Sequence, residues 1–217
     1  MQWAAGRPGL SNRKVKTLAI DPNTPLTIYA GTDGGGVFKS SDDGESWISI
    51  NTGLRNRNVE IIKIDPLTAT TLYAGTDGGG VFKSFNGGEQ WSAMNTGITD
   101  REILALEIDP HTPTILYAGT DEGGIFKTID GGENWKAINS GLNNLEVQAL
   151  VIDPLTPTTL YSGTDGNGIF KSIDGGESWV AFNAGLSNLD VEVLAIDPLT
   201  PSTLYAGTDE GGIFKSM

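Results

Sequence analysis

The groups in this chain that could do chemistry are five arginines, five tyrosines, a single histidine and 27 carboxylates. Arg7, Arg13, Arg55, Arg57 and Arg101 fall in or beside segments that join one apolar, strand-like run to the next. Arg13, Arg57 and Arg101 are spaced by 44 residues, and Leu145 and Leu189 take the next two places of that series. Guanidinium groups gathered on one face bind carboxylate, phosphate or sulfate through charge-assisted bonds. Arg13, Arg55, Arg57 and Arg101 are therefore the candidate ligand-binding set, for a small anion or an acidic sugar. The plainer reading is solvated loop arginines descended from one ancestral copy.

Catalysis would need other groups, and each is weakened by repetition. A tyrosine nucleophile must be singled out from its fellows. Tyr29, Tyr73, Tyr117, Tyr161 and Tyr205 instead recur every 44 residues, as packing residues do. Glycoside cleavage needs two carboxylates at special loop positions. Asp21, Asp65, Asp109, Asp153 and Asp197 all sit in the same Ile-Asp-Pro tripeptide, and no insertion breaks the step. Asp33, Asp77, Asp121, Asp165 and Asp209 form a second series in Gly-rich turns. A calcium loop clusters several oxygen ligands in one turn, whereas these turns offer one or two, so turn stabilisation is the better reading. There is no cysteine, and His111 is the one histidine, read as a surface loop residue. The expectation is no enzyme, no metal and no cofactor.

A formal net charge of −13 sets limits on partners. Phosphate backbones and anionic membranes repel such a surface, so neither nucleic acid nor membrane is expected. No apolar run reaches the roughly 20 residues of a membrane-spanning helix. The first residues do not have the pattern of a signal peptide.

The elements that must position all these groups follow from the repeat. Ile-Asp-Pro begins at Ile20, Ile64, Ile108, Ile152 and Ile196, and Phe38, Phe82, Phe126, Phe170 and Phe214 keep the same frame. Each copy reads as four short strands separated by Asp-Pro and Gly-Gly turns. In the second copy these are Val59–Ile64, Thr71–Thr76, Val81–Ser84 and a fourth from Trp91 to Asn95. First strands such as that with Val15, Leu18, Ala19 and Ile20 are apolar on both faces, which predicts burial between stacked sheets. Four strands every 44 residues is the period of a β-propeller blade. The fold class predicted is all-β, a five-bladed propeller of one domain. Its blades run approximately 11–54, 55–98, 99–142, 143–186, and 187–217 together with 1–10. Trp47, Trp91, Trp135 and Trp179 keep the step, and Trp3 lies four whole periods before Trp179. The N-terminal strand is therefore expected to complete the C-terminal blade and close the ring, which also favours a monomer.

The turn after the third strand carries a motif. It reads Ser40-Ser-Asp-Asp-Gly-Glu-Ser-Trp47, Thr128-Ile-Asp-Gly-Gly-Glu-Asn-Trp135 and Ser172-Ile-Asp-Gly-Gly-Glu-Ser-Trp179, with Asn86 replacing the aspartate in the second copy. This resembles the Asp-box, or bacterial neuraminidase repeat, of sialidases, xyloglucanases, sortilins and photosystem II assembly-factor-like propellers. The resemblance covers the whole chain and implies the propeller fold; those families share little chemistry. It also implies an extracytoplasmic setting. Asp42, Asn86, Asp130 and Asp174 are read as structural turn residues, and Trp3, Trp47, Trp91, Trp135 and Trp179 as residues packed on the sheet. The function expected is a non-catalytic binding or structural scaffold, for carbohydrate, a small anion or a protein. The alternatives are an assembly scaffold, a designed or recently amplified repeat without an evolved ligand, and, last, a glycoside hydrolase.

Overall fold

The computed structural model describes residues 9–10 and 13–216, and divides into two compact units, Met1–Met94 and Asn95–Met217. The first unit holds two four-stranded sheets: β1 (Val15–Ile20), β2 (Ile28–Thr32), β3 (Gly36–Ser40) and β4 (Ile48–Ser49), then β5 (Val59–Ile64), β6 (Leu72–Thr76), β7 (Gly80–Ser84) and β8 (Ser92–Ala93). The second holds three. They are β9 (Ile103–Ile108), β10 (Leu116–Thr120), β11 (Ile125–Thr128) and β12 (Lys136–Ala137); β13 (Val147–Ile152), β14 (Leu160–Thr164), β15 (Gly168–Ser172) and β16 (Val180–Ala181); and β17 (Val191–Ile196), β18 (Leu204–Thr208) and β19 (Gly212–Lys215). Every sheet is an antiparallel meander in chain order, and among the described residues the fifth has three strands where the others have four. The predicted all-β class is what the structure has. The expected ring closure rests on Trp3 and its neighbours, which lie outside the described residues.

Local chemistry explains the strand ends. Each first strand stops at Asp-Pro, because proline offers no amide to the ladder. The aspartate then caps the turn: Asp65 Oδ1 accepts the amides of Leu67 at 2.8 Å and Thr68 at 3.0 Å, and Asp21, Asp109, Asp153 and Asp197 do the same. Each first strand also carries a bulge after its first residue, as between Val59 and Ile61 or Val191 and Val193. Such an extra residue is left out of the ladder and its side chain is re-aimed. Lys16, Glu60, Leu104, Gln148 and Glu192 occupy that place.

Sheets stack through their apolar faces. In the first unit Tyr29, Val37 and Ile50 of one sheet pack with Val59, Ile62, Leu72 and Phe82 of the next. In the second unit Tyr161 and Ile169 pack with Val191, Leu194, Leu204 and Ala206. The approach is tight enough to demand glycine. A Cβ on Gly163 would lie 2.6 Å from Val191 Cγ1 and 3.0 Å from its carbonyl oxygen. The expectation of burial on both faces fails for β1. Val15, Leu18 and Ile20 are exposed, whereas Val59 and Ile62 in the same places of β5 are buried. On β5 that face is covered within the first unit, where Tyr29, Val37 and Ile50 pack against Val59 and Ile62.

An asparagine unnoticed in the sequence reading ties β3, β11 and β15 to the connections that follow their fourth strands. Asn51 Oδ1 accepts the Val37 amide at 2.7 Å and its Nδ2 donates to the Gly35 carbonyl; Asn139 and Asn183 repeat the arrangement. Its recurrence every 44 residues was the available signal.

Candidate functional site

The site grows out of how each tryptophan is held. Trp91 donates its indole N–H to the Ile50 carbonyl at 2.8 Å, and Trp179 donates to the Ile138 carbonyl at 2.8 Å. Their backbone amides donate to Thr52 and Ser140, at 2.8 and 2.9 Å, and Trp135 makes the same bond to Thr96. Beside each acceptor stands a glycine, Gly53, Gly97 or Gly141, against the tryptophan backbone. All three tryptophans are buried. An indole of this size supplies much of the apolar burial at such a seam. Trp47 departs from the pattern: it is half-buried, and its indole N–H bonds to Gly44 of its own turn at 3.2 Å.

Moving this three-point socket on by one repeat gives Phe182, Ala184 and Gly185. All three line a groove of about 360 Å³ beside β19, with Leu186, Leu204, Ala206 and Phe214. Among the described residues nothing lies within 4 Å of where a Gly185 Cβ would be, whereas Gly141 faces Trp179. The β19 edge that bounds the groove is the one that in the other sheets carries a short fourth strand. At its rim Phe182 meets Tyr161 edge to face, 5.7 Å between centroids, and the Lys171 ammonium lies over both rings. Phe182 and Phe85 are the two aromatics outside the 44-residue frame. The groove itself was not foreseen: among the described residues no fourth strand pairs with β19, whereas each of the other four sheets has one.

The turns that lead into the tryptophans are rigid for identifiable reasons. Ser172 Oγ donates to Asp174 Oδ1 at 2.8 Å and accepts the Gly176 amide at 2.9 Å. Asp174 Oδ1 and Oδ2 in turn accept the amide and hydroxyl of Ser178 at 3.0 and 2.5 Å. The Ser40–Asp42–Ser46 and Thr128–Asp130–Asn134 turns match it. Asn86 keeps the bond from the Gln90 amide at 3.0 Å but brings no charge. Side-chain donors first, then backbone amides, hold Asp42, Asp130 and Asp174 down at about 2. A depressed carboxylate contributes stability above its ordinary value and loses it as the pH falls towards the folded value. Burial, then the neighbouring charges of Asp165 and others, pushes Glu146, Asp190 and Glu192 up. Those groups act with the opposite sign, and their repulsion is relieved first on acidification. Melting temperature is thus expected to rise slightly from neutral into mildly acidic pH and to fall between about 4 and 2. An Asp42→Asn, Asp130→Asn, Asp174→Asn variant followed by calorimetry should lose the second limb and keep the first.

The candidate arginines are all exposed. Arg13 lies over the Phe38 ring at 5.8 Å, and the Arg57 carbonyl accepts the Gly36 amide at 2.9 Å. Arg13, Arg55 and Arg57 belong to the first unit and Arg101 to the second. The tyrosines, Tyr205 apart, are buried, each with a lysine ammonium about 5 Å from its ring, as with Lys127 on Tyr117 at 5.5 Å. Burial, then Asp109, pushes the Tyr117 phenol up to about 12. Among the described residues no three carboxylate or imidazole groups come together as a metal would require.

Comparison with known proteins places this geometry. No family model matches the chain, and no curated protein matches it in sequence. Solved structures do. An ancestral GH74 enzyme superposes with a TM-score of 0.74 at 24% identity, over 94% of this chain and 28% of that one. The GH74 xyloglucanase from Xanthomonas campestris gives 0.72 at 17%, over 91% and 36%. YCF48 bound to D1 peptide gives 0.67 at 18%, over 95% and 64%. This chain therefore spans about a third of the two GH74 proteins. At such identities the likeness carries the fold: the chain is an all-β protein of the β-propeller class, its five antiparallel sheets matching five blades.

Proposed function

We propose that this chain is a non-catalytic binding scaffold whose fifth sheet takes an extended, tryptophan-bearing protein segment as a fourth strand. The observation that carries the reading is that Phe182, Ala184 and Gly185, which line the groove, stand one repeat on from Ile138, Ser140 and Gly141, the residues that seat Trp179. Strand addition of this kind draws affinity from main-chain bonds along the edge and specificity from the pocket. A buried tryptophan makes a strong anchor. A related fold holding a peptide, YCF48 with D1 peptide, supports a protein partner. We read the Ser/Thr-x-Asp turns as Asp-boxes, which position the tryptophans and take no part in binding.

The non-catalytic reading is supported by the state of the groups a reaction would use. The Tyr117 phenol is held protonated far above neutral pH, and the repeated aspartates of the turns are occupied by hydrogen bonds to their own loops. A fluorescent peptide with the sequence of residues 179–186, titrated by anisotropy, tests the groove. Saturable binding is expected, weaker by about tenfold or more when the peptide's tryptophan is alanine. Equal binding of the two peptides, or none, would overturn the reading. Binding only after deletion of residues 1–8 would overturn it too, and would assign the groove to the chain's own first residues.

A further inference from the structure

An asparagine followed by glycine is chemically labile, because glycine has no Cβ to keep its own nitrogen from the asparagine Cγ. The chain has two such pairs, Asn86-Gly87 and Asn167-Gly168. Asn86 stands where Asp42, Asp130 and Asp174 stand in the equivalent turns. Its turn holds the carboxamide in an activated state. Ser84 Oγ donates to Asn86 Oδ1 at 2.9 Å, and the Gln90 amide donates to the same oxygen at 3.0 Å. The corresponding donors hold one oxygen of each carboxylate in the other three turns. On a carboxamide they draw electron density from Cγ and stabilise the oxyanion that forms when a nucleophile adds there.

Asn86 is exposed, and its Nδ2 makes no hydrogen bond among the described residues, so the nitrogen that must leave is open to water. The nucleophile, the Gly87 nitrogen, donates to the Thr70 carbonyl at 2.8 Å. That bond must open first, a local event that costs far less than unfolding. Asn167 differs at each point. It is half-buried, and its Nδ2 donates to Asn143 Oδ1 at 2.9 Å. Its Oδ1 has one long contact, from Asn144 Nδ2 at 3.5 Å, and the Gly168 nitrogen donates to the Leu189 carbonyl at 2.7 Å.

We propose that Asn86-Gly87 is a self-modifying site, where the turn converts its carboxamide into the carboxylate that the three equivalent turns already carry. The Gly87 nitrogen gives its proton to solvent and bonds to Asn86 Cγ. The Cγ–Nδ2 bond breaks, and the nitrogen leaves as ammonia, protonated by water. Water then opens the cyclic imide. Cleavage at Cγ gives aspartate with the main chain restored; cleavage at the main-chain carbonyl gives isoaspartate and lengthens the main chain by a carbon. Only aspartate fits, because the bonds from the Gly88 amide to Ser84 Oγ at 2.9 Å and from the Gly87 amide to Thr70 fix the length of the turn. The aspartate keeps both donors, and its second oxygen becomes an acceptor for the Gln90 side chain, as Asp42 Oδ2 is for Ser46. The site lies in the first unit and stands independently of the peptide reading.

Incubation of the full chain at mildly alkaline pH tests it, read by peptide mass mapping that separates aspartyl from isoaspartyl forms. Without denaturant, Asn86 is expected to convert several-fold faster than Asn167. In urea the two rates should converge, since the fold no longer distinguishes them. Each conversion adds one negative charge to a formal net charge of −13, so ion exchange follows the reaction as well. The folded chain should give a larger share of aspartate than the unfolded one. Ser84→Ala removes one donor from Oδ1 and is expected to slow Asn86 several-fold in the folded chain, with no effect in urea. Ser84→Thr, which copies the turn of Thr128, should restore the rate. Asn86→Asp, the product itself, should melt no lower than the parent at neutral pH. Equal rates at the two pairs in the folded chain, a comparison that needs no variant, would overturn the proposal. So would undiminished conversion in Ser84→Ala, isoaspartate alone from the folded chain, or an Asn86→Asp chain that melts below the parent.

Discussion

Trp179→Ala is expected to lower the free energy of unfolding by about 3–5 kcal/mol, the range for truncating a buried aromatic that leaves a cavity. The indole is buried between the fourth sheet and the connection that follows β12. Its loss removes the apolar contact and strips the Ile138 carbonyl of its partner, Nε1 to oxygen at 2.8 Å. The two effects separate in Trp179→Phe, which keeps a ring and drops the donor. That variant is expected to cost about 1–3 kcal/mol, the penalty of a buried acceptor left unsatisfied plus some lost volume. Urea denaturation followed by circular dichroism measures both, as a fall in midpoint with little change in slope. A Trp179→Ala chain as stable as the parent would mean that the tryptophans do not hold the sheets together. The socket beside β19 would then lose its template.

Gly141→Ala is the second large effect, at about 2–5 kcal/mol. Two causes add. The residue has φ = +93°, where a Cβ costs about 1–2 kcal/mol. The new methyl would also land on the Trp179 carbonyl oxygen, far inside contact distance, and neither backbone can move without breaking the Trp179 N–H bond to Ser140. Overpacking of this sort costs about 1–3 kcal/mol more. Gly166→Ala is the control. Its φ is +79°, but nothing lies within 4 Å of its Cβ position, so only the first cost of about 1–2 kcal/mol applies. Gly185 is the informative third case. It occupies the place of Gly141 one repeat on, with no atom of the described residues in front of it. Gly185→Ala should resemble the Gly166 variant in stability, while impairing capture of a tryptophan peptide.

Much of this architecture is legible in the residues themselves. Strands, turns and sheet membership follow from a repeat in which proline ends one strand and paired glycines turn the next. The bonding of Asp65 and Asp174 to their own turns could be foreseen from the preference of aspartate for loop amides. What escaped was set by neighbours that a periodic sequence takes for granted. Leu18 reads the same as Ile62, yet Ile62 is buried because the first sheet packs on it, a neighbour that its own residues do not announce. The groove is invisible for the same reason. Phe182, Ala184 and Gly185 look like any other copy of their positions, and what sets them apart is that no fourth strand pairs with β19 among the described residues. Arg13 stacks on Phe38, Arg55 and Arg57 stand exposed in the one connection before β5, and Arg101 belongs to the second unit.

The central claim is that the edge of β19 and its groove form a socket for a tryptophan-bearing strand. A crystal structure with the peptide of residues 179–186 bound tests it most directly. The account expects the peptide antiparallel to β19, its indole N–H on the Phe182 carbonyl and its tryptophan amide on Ala184. Peptide density elsewhere on the surface, or lying across the groove with the indole turned to solvent, would contradict it.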